Sequence, residues 1–310
     1  AAPLSKNGTF IGHHIMVPKQ GVAIHINAFN FPIWGMLEKI AVNLMAGVPA
    51  IVKPSEFTCY LTELMVKEIV ASKILPEGAL QLVCGLGRGI IDHVNHNDIV
   101  TFTGSAHTGK KLKSLPNIIE NSVPFNLEAD SLNAAVLGED GVPGTAEFDL
   151  FIKEVQKEIT VKTGQKCTAV RRIIVPEKLV EDVQNALSKR LDKTIIGDPS
   201  NDGVRMGALA SRTQVERVKE NVAKLLSEQA LVYGDLEKFD VVGADKSKGA
   251  FFAPIVMLND DPFRKTAGHN IEAFGPVSTI MPYKSLTEAV DLVKLGKGSL
   301  VTSIVTANDE

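Results

Sequence analysis

The chain has 310 residues, 45% of them hydrophobic and 22% charged, with a formal net charge of -3. That length exceeds what one hydrophobic core fills and predicts two domains. Well-mixed charges leave no basic face for nucleic acid and no polybasic patch for a lipid surface, and the patterning is too polar for a membrane protein, so neither partner is expected. Residues 1–10, AAPLSKNGTF, show no charged segment followed by an apolar one, so no secretory signal is read. Three cysteines, Cys59, Cys84 and Cys167, are odd in number and match no metal-ligand spacing, which fits a reducing compartment; the cytoplasm is the expected location.

From Gly21 to Phe102 apolar runs alternate with amphipathic ones, which predicts parallel strands joined by crossover helices. GVAIHIN reads as a buried strand, and Pro32 opens a helix through Met45 that Gly47 stops. PAIVK is the next strand, a helix follows over residues 60–72, and ALQLVC is a third strand, ending in a turn at Gly85 and Gly87. A further helix and the strand DIVTF complete the series. No low-complexity linker or internal repeat interrupts it, so the first domain ends near the apolar run 123–127. Beyond Glu128 come a strand at 133–137, a helix over 147–162, the strand RRIIV and a helix from Glu177. Two more helices and two strands follow, including a polar helix over 212–229. LVYGDLEKFD is a turn-rich stretch, and SLVTSIVT ends the chain as a strand.

Residues 104–110, Gly104-Ser-Ala-His-Thr-Gly109-Lys110, follow a strand, open a helix and match the glycine and lysine spacing of a nucleotide P-loop. Lys111 stands where that motif needs a magnesium-holding hydroxyl, so ATP hydrolysis is not expected. The glycines fit a cofactor pyrophosphate at a helix N-terminus or a plain structural turn. In Gly85-Leu-Gly87-Arg-Gly89 the third glycine comes one residue early for a dinucleotide fingerprint, and a tight turn accounts for it equally well. His93 and His96 have helical spacing but no completing ligands, so they read as surface residues and no metal is expected. In Thr163-Gly-Gln-Lys-Cys167-Thr-Ala, a cysteine lies in a polar connection between a helix and a strand, with Lys162 and Lys166 near it. Positive charge and partial exposure favour a thiolate there. On its residues alone, Cys167 is either a nucleophile or an ordinary turn cysteine, whereas Cys59 and Cys84 lie in apolar segments and are expected to be buried.

Several segments, in order, resemble the aldehyde dehydrogenase superfamily. Phe29-Asn30-Phe31-Pro32 is similar to that family's asparagine segment, Lys53-Pro54-Ser55-Glu56 to its ribose-binding segment, and Phe102-Thr103-Gly104-Ser105 to its cofactor-helix turn. Leu127-Glu128 resembles the glutamate motif, Gly164-Gln165-Lys166-Cys167-Thr168 the nucleophile motif, and Glu272-Ala273-Phe274-Gly275-Pro276 the nicotinamide-ribose motif. Glu128-Ala-Asp-Ser-Leu-Asn133 replaces the family's usual glycine pair. With His14, Gly35-Met-Leu-Glu-Lys39 and Phe148-Asp-Leu-Phe-Ile-Lys153, it looks like the semialdehyde dehydrogenases of coenzyme A-dependent phenylacetate and benzoate breakdown. One branch of these is often fused to a hydratase, of which no segment is seen.

The resemblance implies an α/β fold: residues 1–16 as part of an oligomerisation arm, 17–129 as a partial Rossmann-type dinucleotide-binding domain, and 130–310 as a catalytic domain, truncated at both ends. It implies oxidation of an aldehyde by NAD or NADP. Cys167 would be the nucleophile, Asn30 an oxyanion donor and Glu128 the base for thioester hydrolysis. Lys53, Ser55, Glu56, Gly104, Ser105, Glu272 and Phe274 would hold the cofactor. A carboxylate at Glu56 disfavours a 2'-phosphate, where the subgroup tends to carry a smaller hydroxyl residue and use NADP, so the preference leans to NAD. The implied substrate is a semialdehyde, carried in that subgroup as a coenzyme A thioester, and the full-length protein would be a homo-oligomer. Without the resemblance, Glu128 and Asp130 read as a solvated acidic pair or a strand-end cap. Two alternatives stay open, an acylating dehydrogenase that releases its thioester to coenzyme A and an inactive truncated member of the family.

Overall fold

In the computed structural model, which describes residues 2–87 and 89–308, the chain opens with a short antiparallel ladder, β1 (Ala2–Pro3) and β2 (Ile11–Gly12). Ala1 of the expected arm, Arg88 of the glycine turn and residues 309–310 lie outside the described residues. Contacts divide the chain into two units, Ala1–Ala129 and Asp130–Glu310.

In the first unit the alternation of the sequence becomes a five-stranded parallel sheet. Its strands are β3 (Ala23–Ile26), β4 (Ala50–Lys53), β5 (Leu80–Leu82), β6 (Ile99–Thr103) and β7 (Phe125–Glu128), in the order β5-β4-β3-β6-β7. Helices α1 (Trp34–Met45), α2 (Cys59–Ala71), α3 (Ala106–Lys113) and α4 (Pro116–Glu120) connect them. Because side chains alternate across a strand, Ala50 and Val52 face a cluster with Met36 and Ile40 of α1, while Ile51 faces one with Ile24 and Val100. Gly109 lets α3 lie directly on β7, since a Cβ there would strike the Leu127 side chain.

Two expectations fail in this unit. The helix expected before DIVTF is absent: residues 89–97 are turns, because Asp98 accepts the Asn95 N–H, the Asn95 side chain accepts the Asn97 N–H, and both glycines before Ile90 have positive φ. Ile91 and Val94 are nonetheless buried, and His93 and His96 are exposed. The second correction concerns the cysteines: Cys84 is exposed and Cys59 half-buried. β5 is an edge strand that ends at Leu82, so the alternation that would bury Cys84 stops before it.

The second unit is built on six strands, β8 (Ala134–Leu137), β9 (Arg172–Pro176), β10 (Ala230–Tyr233), β11 (Ile255–Leu258), β12 (Val277–Tyr283) and β13 (Thr302–Val305). Their order is β10-β11-β12-β9-β8-β13, parallel except for β10 against β11. β10 takes the first part of the stretch read as turns. Helices α5 (Ala146–Thr160), α6 (Val180–Leu191), α7 (Arg212–Leu226) and α8 (Leu286–Lys294) complete the unit. Thr145, Ser211 and Ser285 cap α5, α7 and α8 by accepting a backbone N–H of the first turn. Phe151, Ile173, Val175, Leu187 and Ile280 make the larger core on one face of the sheet; Val136, Ile174, Met281 and Leu292 pack on the other.

Two buried arginines stand at the start of β9, Arg171 just before the strand and Arg172 as its first residue. Arg172 donates to the carbonyls of Leu132 at 2.7 Å, Leu292 at 2.5 Å and Val293 at 3.1 Å, so its charge sits at the C-terminal end of α8, where the helix dipole is negative. Burial pulls its pKa down to about 10.

Candidate active site

In the first unit, the strand order reverses between β3 and β6, and open parallel sheets bind ligands beyond the carboxyl ends of their strands at such a switch point. The candidate residues collect on that edge. Asn30 follows β3, Lys53 ends β4 and is followed by Ser55 and Glu56, Gly104 and Ser105 follow β6, and Glu128 ends β7. The Gly104 N–H donates to the Glu128 carbonyl at 3.1 Å, tying the last two segments together. Ser105 is the N-cap of α3 and accepts the Thr108 N–H. Lys53 is buried with its Nζ 3.8 Å from Glu56 Oε2, and the Glu56 carboxylate is exposed.

Two groups on the same edge have no partner in the protein. Neither side-chain atom of Asn27 is hydrogen-bonded although the residue is only 6% exposed, and the hydroxyl of Thr103, beside it at the end of β6, is also buried and unpaired. Buried polar atoms are almost always satisfied, so this edge fits a ligand or water offering both donors and acceptors. A nicotinamide dinucleotide offers both, so the residues present fit it.

Glu128 keeps a half-exposed carboxylate. Lys39, on α1, approaches its Oε2 at 3.5 Å and Glu38 at 3.1 Å. The subgroup pattern Gly35-Met-Leu-Glu-Lys39 contained this lysine without giving it a role; its spacing on α1, which faces β3 and β4, was the available signal.

In the second unit, α5 stops at Thr160, two residues before the expected end. Lys162, Thr163 and Gly164 then take positive φ angles of 53°, 53° and 67° in succession. Such a run is unfavourable for side-chain-bearing residues and persists only where surroundings impose it. Here the Thr163 hydroxyl donates to the Gly207 carbonyl at 3.0 Å, and the Gln165 amide donates to the Phe274 carbonyl at 3.2 Å and accepts the Ala210 N–H at 2.8 Å. Gly164 lies so close to the Gly275 carbonyl that no Cβ fits. Cys167, half-buried, follows this turn. Its carbonyl accepts from the side chain of Asn133 at 2.8 Å; that amide is 1% exposed and also donates to Ala169, while its oxygen accepts the Leu300 and Val301 N–H groups. Of the two lysines, Lys166 pairs with Glu158 at 2.7 Å. The Lys162 ammonium is held below its ordinary pKa by burial, with Cys167 acting in the opposite direction and Lys166 in the same one.

Glu272 is buried in the same unit. Its Oε1 accepts from Arg171 Nε at 3.0 Å and its Oε2 from the Ser131 N–H at 3.1 Å. Burial raises its pKa and Arg171 opposes that rise. Phe274 lies two residues on, its ring centre 5.4 Å from the Arg171 guanidinium. Neither Asn133 nor Arg171 was given a role from the sequence; the signal was a polar residue just before a buried strand in each case. Among the described residues no three His, Cys, Asp or Glu side chains gather to hold a metal ion, and no helix is long and apolar enough to cross a membrane.

The model of the aldehyde dehydrogenase family matches residues 5–310. The chain belongs to the aldehyde dehydrogenase family. Within that family it is 44% identical over 305 residues to a 3,4-dehydroadipyl-CoA semialdehyde dehydrogenase of Aromatoleum evansii, covering 98% of this chain and 59% of the relative. A putative aldehyde dehydrogenase of Staphylococcus aureus is 30% identical over 298 residues, covering 94% of this chain and 59% of the relative. Among solved structures, betaine aldehyde dehydrogenase of S. aureus in complex with NAD+ superimposes with a TM-score of 0.81 at 26% identity, over 93% of this chain and 55% of that one. The fold class expected from the sequence, α/β with a Rossmann-type parallel sheet, is therefore that of aldehyde dehydrogenases. This chain spans a little over half the length of the family members it matches.

Proposed function

We propose that this aldehyde dehydrogenase chain oxidises an aldehyde to a carboxylic acid with NAD(P), using Cys167 as nucleophile. The observation that carries the reading is the setting of Cys167: a half-buried thiol after a left-handed turn, with its carbonyl pinned by a buried asparagine. A nucleophile held in this way loses little entropy on attack. As thiolate it adds to the aldehyde carbon, and the Cys167 N–H and the Asn30 amide donate to the oxyanion that forms. Bound cofactor supplies the hydride acceptor. The adduct leaves a thioester on Cys167, and Glu128, held near Lys39, takes the proton from the water that hydrolyses it. A carboxylate in that position favours water over coenzyme A as acyl acceptor.

Lys53, Ser55, Gly104 and Ser105 would bind cofactor phosphate and ribose oxygens, and Glu56 would accept from the adenosine ribose hydroxyls, which favours NAD over NADP. Glu272 would meet the nicotinamide ribose, with Phe274 packed near the ring. The 44% identical relative acts, by its name, on a coenzyme A-linked semialdehyde. That supports a semialdehyde carried as a coenzyme A thioester as the substrate here. We place the protein in the cytoplasm, where its cysteines stay reduced, as a homo-oligomer joined through an arm that includes residues 1–16; the exposure of Phe10, Ile11, Ile15 and Met16 supports such an arm.

The test is absorbance of reduced nicotinamide formed from succinic semialdehyde and from a coenzyme A-linked semialdehyde, with NAD and with NADP. Cys167→Ala is expected to lower turnover at least ~10³-fold. Glu128→Gln is expected to give one burst and then stall. A folded protein that binds neither cofactor, or a Cys167→Ala protein that still turns over, rejects the proposal.

A further inference from the structure

We propose that Arg171 is the positioning residue of this site: its guanidinium fixes the direction of the Cys167 N–H and the place of the Glu272 carboxylate together. The inference rests on the reading of Cys167 as nucleophile. Arg171 is only 5% exposed, and its donors reach two separate segments. Nε donates to Glu272 Oε1 at 3.0 Å and Nη1 to the Gly275 carbonyl at 2.8 Å, both in the Glu272 loop. Nη2 donates to the Gly164 carbonyl at 2.8 Å and, at a longer 3.4 Å, to the Lys166 carbonyl, both in the nucleophile turn.

The Lys166 contact matters for chemistry. The Lys166 carbonyl and the Cys167 N–H belong to one peptide unit, and a trans peptide is planar, so the two groups point in opposite directions. That carbonyl also accepts the Ala169 N–H at 3.1 Å, and holding it between Ala169 and Arg171 aims the Cys167 N–H the other way. On the far side of the cysteine, Asn133 holds the next carbonyl, so both peptide planes flanking Cys167 are anchored by buried side chains. An oxyanion donor is useful only if its direction is set before charge develops.

The positive φ at Lys162, Thr163 and Gly164 shows why an anchor is needed. The turn has one backbone bond of its own, Gln165 N–H to the Lys162 carbonyl at 3.0 Å, and Gln165 reaches the Phe274 carbonyl, but the Gly164 approach to Gly275 leaves those two residues' backbones touching without a hydrogen bond. Arg171 supplies bonds to both carbonyls at that contact. Only a planar fork does this: lysine offers one nitrogen at the end of a flexible stem and cannot reach the Glu272 carboxylate and three carbonyls on two loops.

The experiment uses the full-length protein with Cys59, Cys84 and every other cysteine except Cys167 replaced by serine, so that iodoacetamide reads Cys167. Arg171→Lys keeps the charge and loses the fork; Arg171→Gln is the second variant. We expect kcat to fall about 10²-fold, as for removal of one oxyanion donor, and the cofactor KM to rise about tenfold as Glu272 loses its place. The aldehyde KM and the pH profile of Cys167 alkylation should stay within about threefold, because alkylation needs the thiol but no oxyanion donor. A general loosening of the fold would move alkylation and kcat together, and that result overturns the inference, as does failure of both variants to fold. An Arg171→Lys protein within twofold of the parent in kcat also overturns it, while Cys167→Ala still abolishes turnover and so leaves the nucleophile reading standing. A parent that turns nothing over, or a Cys167→Ala protein that remains active, removes both.

Discussion

Around their candidate residues the two units treat polar groups in opposite ways. In the first, the candidate residues lie along the carboxyl edge of a sheet, several of them partly exposed, and Asn27 and Thr103 are buried there without partners. In the second, the residues around Cys167 are buried and heavily bonded: Asn133, Gln165, Arg171 and Glu272 each make two or more hydrogen bonds to other segments. Unsatisfied groups on an edge suit a surface completed by what it binds, whereas a closed network suits a site whose geometry must exist before the reactant arrives. Variants at the cofactor residues of the first unit should therefore act mainly through affinity, unlike Asn30 and Glu128, which the proposed chemistry uses, and variants in the second through stability and turnover.

The largest effect on stability is expected at Arg172. Arg172→Met fills a similar volume but takes a donor from three carbonyls at least partly buried, two of them at the end of α8, of which Val293 keeps the Gly296 N–H. Each abandoned buried acceptor costs about 1–3 kcal/mol, partly offset by no longer burying a cation, so a loss of about 3 kcal/mol is expected from urea midpoints. Lys39→Met, which breaks the Glu128 contact in the first unit, should cost under about 1 kcal/mol, because its partner is a half-exposed carboxylate 3.5 Å away. Equal losses at the two positions would break the contrast between the units.

This contrast also marks what was legible in the sequence. The parallel sheet of the first unit could be read because β3, β4 and β6 are short apolar runs bounded by turn residues, a local signal. Equally local is Pro32 before α1. The exposure of Cys84 was not legible, because it depends on β5 lying at the sheet edge. Nor was the Arg171 network: Arg171 and Glu272 are 101 residues apart in sequence, and nothing in RRIIV says which carboxylate the first arginine meets. The left-handed turn before Cys167 was half legible, through Gly164 but not through Lys162 or Thr163, whose conformation is imposed from outside the segment.

A smaller effect is expected at Glu56, where affinity alone should change. Glu56→Gln removes a carboxylate from the position where a 2'-phosphate would lie, so the ratio of KM for NADP to KM for NAD should fall about tenfold, the size of one charge-assisted contact of about 1.4 kcal/mol. With kcat for NAD changed less than about threefold, the division of labour between the units is sharpened. A large loss of kcat would place Glu56 in the chemistry as well.

The smallest expected effect compares one buried histidine in each unit. His25, on β3, donates through Nε2 to Asn43 Oδ1 at 2.7 Å, and its Nδ1 meets the Thr101 hydroxyl at 2.7 Å. His269 donates through Nε2 to the Pro262 carbonyl at 2.9 Å, leaving Nδ1 to accept from Arg172 at 3.3 Å. Burial is the main cause lowering both pKa values; Lys39 adds to it for His25, and Arg172 and Lys297 for His269. A histidine whose folded pKa lies below 6.5 takes up its proton later than the unfolded chain does, so stability falls as pH drops below about 6.5 and levels off only below the folded value. Above that window the groups are neutral in both states and contribute no slope. The shifted aspartates are lowered from an ordinary value of 3.8, so their titration lies at more acid pH, whereas Glu272, raised by burial, takes up its proton earlier in the folded state and offsets part of the acid loss equally in parent and histidine variants. Protonating His269 also turns the acceptor that meets Arg172 into a donor facing a donor, whereas the Thr101 hydroxyl can rotate to accept from His25. Melting temperatures at pH 7 and 5.5 should therefore show His269→Gln reducing the acid loss by about 2–4 °C, about 1 kcal/mol, and His25→Gln by less. If His25→Gln has the larger effect, the first unit rather than the second holds the more tightly committed polar interior.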